Sequence, residues 1–231
     1  MSENVPKRGT AEIVQVVADH ITLEGNLVIP AGARGIVVFA HGSGSSRLSP
    51  RNRWVAERLN AHQLATLLFD LLTPEEEELD MVDRHIRFDI PLLAERVIGA
   101  TDWLAERPAT HPLQVGYFGS STGAAAALIA AAERTRRVGA VVSRGGRVDL
   151  ADAALEDVRA ATLLVVGQLD YQVLELNRLV LRRLSGNAEL AIVPGATHLF
   201  EEPGTLEEVA RLAGDWFSHH LGGSHSASDA A

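Results

Sequence analysis

The sequence of 231 residues contains no cysteine. That excludes a disulfide scaffold, a thiolate-ligated zinc or iron–sulfur centre, and a cysteine nucleophile. Lysine is almost as scarce, since Lys7 is the one lysine among 21 basic residues. A lysine nucleophile or Schiff base would therefore have to be Lys7, inside a polar leader. Positive charge is in deficit: 30 acidic residues outnumber the basic ones and leave a net charge of −9. Such a balance argues against a general phosphate-backbone binder, so no nucleic-acid partner is expected. It also gives anionic substrates no general steering. Long apolar runs are missing. The longest apolar-rich stretch, Ala124 to Ala132, is too short to span a bilayer. No apolar segment follows the polar start at Met1–Thr10, so no secretory signal is expected. These absences predict a cytoplasmic protein with no membrane partner.

What is present is ordinary for a globular chain, with 46% hydrophobic and 22% charged residues. The length fits one domain with a substantial core. Residues 1–10 read as a flexible leader, 11–221 as the domain, and 222–231 as a disordered tail without apolar periodicity.

Strand-like and helix-like segments alternate along the domain. Ile13–Val17 and Ile21–Ile29 read as opening strands turned at Asp19-His20. Gly35–Ala40, Leu64–Phe69, Leu113–Phe118, Val138–Val142, Thr162–Val166 and Leu190–Val193 follow as further strands. Helices are predicted over Pro50–His62, Ile86–Glu106, Thr122–Glu133, Val173–Leu184 and Leu206–Leu221, with a short one near Leu150–Val158. Pro74–Glu78 reads as an acidic connection. The alternation predicts an α/β fold: a mixed, mainly parallel sheet with helices on both faces. Only about twenty residues separate the Val138–Val142 and Thr162–Val166 strands, which leaves no room for a cap domain there and predicts an open, shallow site. In such sheets, ligands sit beyond the carboxyl ends of the strands.

Those ends carry the chemistry. Gly119-Ser-Ser-Thr-Gly123 matches G-x-S-x-G between a strand and a helix, a sharp turn that exposes the Ser121 hydroxyl above the sheet. Asp170 follows the Thr162–Val166 strand, and His198 follows Leu190–Val193. A serine hydroxyl needs an imidazole to take its proton, and the imidazole needs a carboxylate to hold its tautomer. Singly, Ser121 also reads as a residue of a Gly-rich turn, Asp170 as a helix cap, and His198 as a loop histidine. The order Ser, Asp, His, each after its own strand, is that of the α/β-hydrolases and favours the catalytic reading. His41-Gly-Ser-Gly-Ser-Ser46 follows the Gly35–Ala40 strand. The amides of Ser43 and Thr122 are the expected oxyanion hole, with His41 a structural loop residue. A rival reading takes Gly42–Arg47 as a near miss to G-x-G-x-x-G, with Asp70 as a ribose-binding acid. Arg47 at the sixth position, a helix that begins only near Pro50, and the loop's place after the third strand count against it.

At this point the chain, over roughly 13–221, resembles the small lidless α/β-hydrolases of the dienelactone hydrolase-like group. The likeness rests on His-Gly-Ser-Gly-Ser-Ser-Arg at 41–47 with Pro-Arg-Asn at 50–52, and on Leu-Leu-Phe-Asp-Leu-Leu-Thr at 67–73. Gly-Tyr-Phe-Gly-Ser-Ser-Thr-Gly-Ala-Ala at 116–125, Ser-Arg-Gly-Gly-Arg at 143–147 and Gly-Ala-Thr-His-Leu-Phe at 195–200 complete it. The fit is best to a bacterial branch that carries all five. The resemblance implies Ser121 as nucleophile, Asp170 as acid and His198 as base. Dienelactone hydrolases proper use a cysteine nucleophile, and here the position is Ser121. Ser120 stands where the branch has a small residue such as alanine.

Other residues carry weaker signals. Arg144 and Arg147 stand where they could bind an anionic group or pair with acidic loop residues, and Ser45 in the Gly-rich loop is a further candidate for substrate contact. Glu75–Glu78 reads as a solvated run rather than a metal site. Asp149 and Asp152 are reserve acids for the triad. His219-His220 end the last helix, and Trp54, Trp103 and Trp216 fall at core spacing. The expectation is a serine hydrolase acting on a small-molecule ester or lactone, with no cofactor and no metal. A catalytically silent binding protein, or an acyltransferase with the same triad, would leave the same sequence.

Overall fold

Gly35–Ala40 and Leu64–Phe69 carry no charged side chain, and every one of their residues is buried. A strand of that kind is stable only with helices on both faces. The computed structural model describes residues 11–222 and sets these two strands side by side at the centre of one sheet. The predicted leader at 1–10 and nearly all of the predicted tail lie outside the described residues.

In chain order the strands are β1 (Glu12–Ala18), β2 (Ile21–Val28), β3 (Gly35–Ala40), β4 (Leu64–Phe69), β5 (Gln114–Ser120), β6 (Val138–Arg144), β7 (Ala161–Gly167) and β8 (Ala188–Val193). They form one eight-stranded sheet in the order β1-β2-β4-β3-β5-β6-β7-β8. β1, β2 and β4 pair antiparallel, and every other pairing is parallel. The predicted mixed, mainly parallel sheet is therefore the observed one. β1 alternates, with Val14, Val16 and Ala18 buried and Ile13 and Val17 exposed, as an outer strand with one covered face should.

The helices are α1 (Pro50–Ala61), α2 (Pro74–Asp83), α3 (Ile90–Glu106), α4 (Thr122–Glu133), α5 (Tyr171–Leu181) and α6 (Thr205–Leu221). α3, α4 and α5 bury their apolar sides on one face of the sheet, and α1 and α6 on the other. Trp54, Trp103 and Trp216 sit at the edges of these cores, partly buried, and the Trp216 indole donates to the Ala161 carbonyl. Among the described residues no helix is long and apolar enough to cross a membrane.

Three predicted segments differ. The acidic connection is a helix, α2. Thr73 caps it: its hydroxyl accepts from the Glu76 amide at 3.2 Å, and the Glu76 carboxylate accepts from the Thr73 amide at 2.8 Å. Pro74 fits the first turn, and Glu75, Glu76 and Glu77 favour the positive end of the helix. The predicted helix from Ile86 to Glu106 is broken. Ile86–Phe88 is a single 3-10 turn, and α3 starts afresh at Ile90, where the Asp89 carboxylate accepts from the Leu92 amide. Pro91 has no amide proton to continue a helical ladder from the preceding turn, so it fits only the first turn of a new helix. The short helix near Leu150 is a kinked 3-10 segment over Val148–Asp157.

Candidate active site

β5 ends at Ser120 and α4 begins at Thr122, so Ser121 alone makes the turn. Its backbone has φ 50° and ψ −121°. A non-glycine residue there costs on the order of 1–3 kcal/mol and persists only where its surroundings over-determine it. The Ser121 amide donates to the Arg144 carbonyl at 3.2 Å, and the Ser121 carbonyl accepts from the Ala124 and Arg147 amides at 3.1 and 3.0 Å. The flanking glycines are a matter of space. A Cβ on Gly119 would lie 2.4 Å from the Ala124 Cα, and one on Gly123 would lie 2.2 Å from the Ala40 carbonyl oxygen. Only bare backbone lets α4 start this close to β3 and β5.

Asp170 holds the N-cap position of α5, yet its side chain makes no capping bond. It accepts instead from His198 Nδ1 at 2.6 Å. A carboxylate can only accept, so Nδ1 carries the proton and Nε2 is left with its lone pair. The loops that carry the two residues are tied together. The Gln168 and Leu169 amides donate to the Val193 and Ala196 carbonyls, and the Gly195 amide donates to the Gln168 side chain. The Asp170 side chain is 13% exposed and that of His198 39%, so the carboxylate is shielded while the imidazole stays open. Gly145 lies under the ring: a Cβ there would be 3.4 Å from Nδ1 and Cε1. Ser121 and His198 line one cavity, although among the described residues no hydrogen bond joins them. That bond is often long before substrate arrives. The reserve acids are elsewhere, Asp149 paired with Arg147 and Asp152 with Arg183.

The Gly-rich loop after β3 is fixed by His41. The Leu71 amide donates to His41 Nε2 at 3.1 Å, so the proton sits on Nδ1 and is donated to the Gly42 carbonyl. Burial pushes the His41 pKa down, which keeps this neutral form. His41 is the structural residue that was expected. The Ser43 amide is engaged, donating to Thr122 Oγ1 at 3.0 Å. The Thr122 amide, at the first turn of α4, has no acceptor within its helix. Asp70, the acid of the dinucleotide reading, is taken up by Arg47, through the backbone amide at 2.8 Å and the guanidinium at 3.3 Å.

The cavity has a volume of about 970 Å³. The connection between β4 and α3 supplies part of its wall. From α2 and the turn after it, Glu77, Glu78, Asp80, Met81 and Arg87 line the cavity. Glu77 and Glu78 belong to the run expected to be solvated, and Asp80, Met81 and Arg87 carried no signal in the sequence, although the Thr73-x-x-Glu76 signature would have started the helix. Asp80 is buried and holds Arg87 through a side-chain ion pair and the Arg87 amide. Both substrate-contact candidates, Ser45 and Arg144, line the same cavity. The neighbouring arginines part company. Arg147 forms a two-pronged pair with Asp149, at 2.9 and 2.8 Å. Arg144 makes no side-chain hydrogen bond or ion pair among the described residues, although it is 8% exposed and its Nη1 is fully enclosed. Burial, with the nearby Arg51 charge, lowers its pKa to about 10.

No family model matches the chain. A crystal structure of a dienelactone hydrolase from Anabaena variabilis is 60% identical and superposes with a TM-score of 0.91, over 92% of this chain and 99% of that one. Est1E from Butyrivibrio proteoclasticus (16% identical, TM-score 0.75, 90% of this chain and 98% of that one) shares the fold. So does a dienelactone hydrolase-like promiscuous phosphotriesterase from metagenomic libraries (19% identical, TM-score 0.74, 93% of this chain and 100% of that one). Two proteins from strains of Mycobacterium tuberculosis, each named "putative phosphoribosyl transferase", are 60% identical over 92% of this chain. The chain spans 47% of the length of these curated relatives. A match at 60% identity over nearly the whole of that chain, with a TM-score of 0.91, settles the family: the chain belongs to the dienelactone hydrolase-like α/β-hydrolases.

Proposed function

We propose that the protein hydrolyses a carboxylic ester or lactone through an acyl-enzyme on Ser121. One observation carries the reading: a histidine held by a buried-side carboxylate, His198 on Asp170, shares a cavity with a serine in a strained strand-to-helix turn. His198 Nε2 takes the Ser121 proton as Oγ attacks the carbonyl carbon. Asp170 holds the tautomer and offsets the imidazolium charge that develops. The tetrahedral oxyanion is received by the Thr122 amide and by the Ser43 amide once the Thr122 hydroxyl releases it. His198 then protonates the leaving alcohol. Water, activated by the same imidazole, attacks the acyl-enzyme and returns Ser121. The route needs no metal and no cofactor. The transferase name of the mycobacterial relatives attaches to proteins more than half of whose length lies outside the match, so it gives no reading of this cavity.

The test is turnover of p-nitrophenyl acetate and butyrate by the purified protein beside Ser121→Ala, with a fluorophosphonate label located by mass spectrometry. A burst lost in the variant, with the label on Ser121, supports the acyl-enzyme route. Equal behaviour of the two proteins and no label would sink it in favour of a binding protein. Product analysis with an added alcohol separates hydrolysis from acyl transfer.

A further inference from the structure

Most buried or half-buried arginines of this protein have a carboxylate. Arg47 has Glu24 and Asp70, Arg87 has Asp80, Arg96 has Glu76, and Arg147 has Asp149. Arg144, more enclosed than any of these, has none among the described residues. Its neighbour in charge is another cation, Arg51, whose guanidinium reaches outward to Glu201 at 2.7 Å. A buried cation left without an anion is costly, and proteins keep such an arrangement where a ligand completes it. Arg144 extends from the end of β6, beside the Ser121 turn, and lines the same cavity. Arg51 enters from the first turn of α1, whose positive end stands in the cavity wall with Ser49. The hydroxyl-rich segment Ser43–Ser46 of the Gly-rich loop lines the same cavity. That loop resembles a phosphate cradle in sequence, and nucleophilic catalysis uses only its amides.

We propose that this end of the cavity is an oxyanion subsite, and that the ester cleaved at Ser121 carries a phosphate group seated on Arg144. A carboxylate would be satisfied by one guanidinium fork. The Arg144 guanidinium, those Arg51 donors that Glu201 does not take, and a run of serine hydroxyls offer more donors than two oxygens accept, and suit the three oxygens of a phosphate monoester. The acidic side chains that face the cavity, Glu77 and Glu78, belong to the α2 wall, and Asp80 is already held by Arg87. The proposal rests on the ester-hydrolase reading for its substrate, but not for its binding site.

The experiment has two arms. In the first, the protein is given 3-acetoxypropyl phosphate, 4-acetoxybutanoate and 3-acetoxypropan-1-ol, which differ only at the end remote from the ester. The phosphate ester should exceed the alcohol in kcat/KM by about 30-fold, the scale of a charge-assisted contact, and should also exceed the carboxylate. Arg144→Gln should bring the phosphate-to-alcohol ratio close to one, and Arg144→Lys should keep part of it. Equal ratios in the wild type, a preference for the carboxylate, or a ratio untouched in Arg144→Gln would overturn the proposal. In the second arm, 3-hydroxypropyl phosphate is titrated calorimetrically into Ser121→Ala, with and without Arg144→Lys. Binding that weakens in the double variant supports the subsite even if no ester is turned over, in which case only the hydrolase reading has failed. No binding to Ser121→Ala overturns the subsite whatever the esterase assay gives.

Discussion

Ser121 and Met81 line the same cavity, yet the segments that carry them are held by different forces. The Ser121 turn lies between a fully buried strand and a helix of small residues, where even one methyl group has no room. Its backbone strain is balanced by three hydrogen bonds to the turn and by close packing on β3. α2 rests on a capping box and two ion pairs, Asp80 with Arg87 and Glu76 with Arg96, and it leaves Leu79, Met81 and Val82 exposed. The Ser121 side is tightly confined, as the proposed acyl transfer would demand. The other side sets the shape of the space and can vary without disturbing the sheet. On the proposed function, chemistry and selectivity would fall on elements held in different ways.

Four measurements would break or sharpen that contrast. The largest effect belongs to the proposed nucleophile: Ser121→Ala should lower kcat for p-nitrophenyl butyrate by at least about 10³-fold, with the melting temperature little changed because alanine keeps the Cβ and the same backbone geometry. A variant that keeps most of its activity would remove Ser121 from the chemistry. Next comes Gly123→Ala. The added methyl would meet the Ala40 carbonyl at 2.2 Å, so a loss of about 3 kcal/mol or more is expected in denaturant unfolding, with activity lost as well. A stable, active Gly123→Ala would show that the turn is looser than its geometry implies.

The third effect is a pH dependence. Burial holds His41 neutral in the folded protein, outweighing its bond to Gly42 and the Asp70 charge, whereas the unfolded chain binds a proton there below about pH 6.5. The unfolded state then carries more protons, so this group's share of stability falls as pH drops below that value. His41→Gln removes the titration and should flatten that part of the fall. Melting curves of both proteins between pH 7.5 and 5.5 decide it, and parallel losses would exclude His41 as the cause. The smallest effect belongs to the α2 wall. Thr73→Ala removes one half of the capping box and should cost about 1 kcal/mol, locally. Steady-state kinetics should show KM changing more than kcat. The reverse would mean that the wall takes part in the chemistry.

The centre of the sheet was legible because β3, β4 and β7 are apolar runs of six or seven residues with turn signals between them, and burial on both faces leaves few other uses for such runs. Ser121, Asp170 and His198 were legible through their order along the chain and their place after successive strands. α2 was missed because four consecutive glutamates look like solvated loop, when in fact their charge favours a helix start. The break before α3 was missed because the apolar spacing continues across Pro91.

Sequence alone determined the fold class, the turn at Ser121 and the identity of the three residues placed after β5, β7 and β8. Those follow from local pattern: periodicity, glycine at a close approach, and residue type at a strand end. Tertiary structure decided what depends on distance between segments far apart in the chain. It gave Asp170 to His198 rather than to the cap of α5, engaged the Ser43 amide with Thr122, and raised a wall from an acidic run. It also separated two arginines three residues apart, giving Arg147 a carboxylate and Arg144 none. Whether a charge is paired depends on which loop arrives beside it, and only the packed chain contains that information.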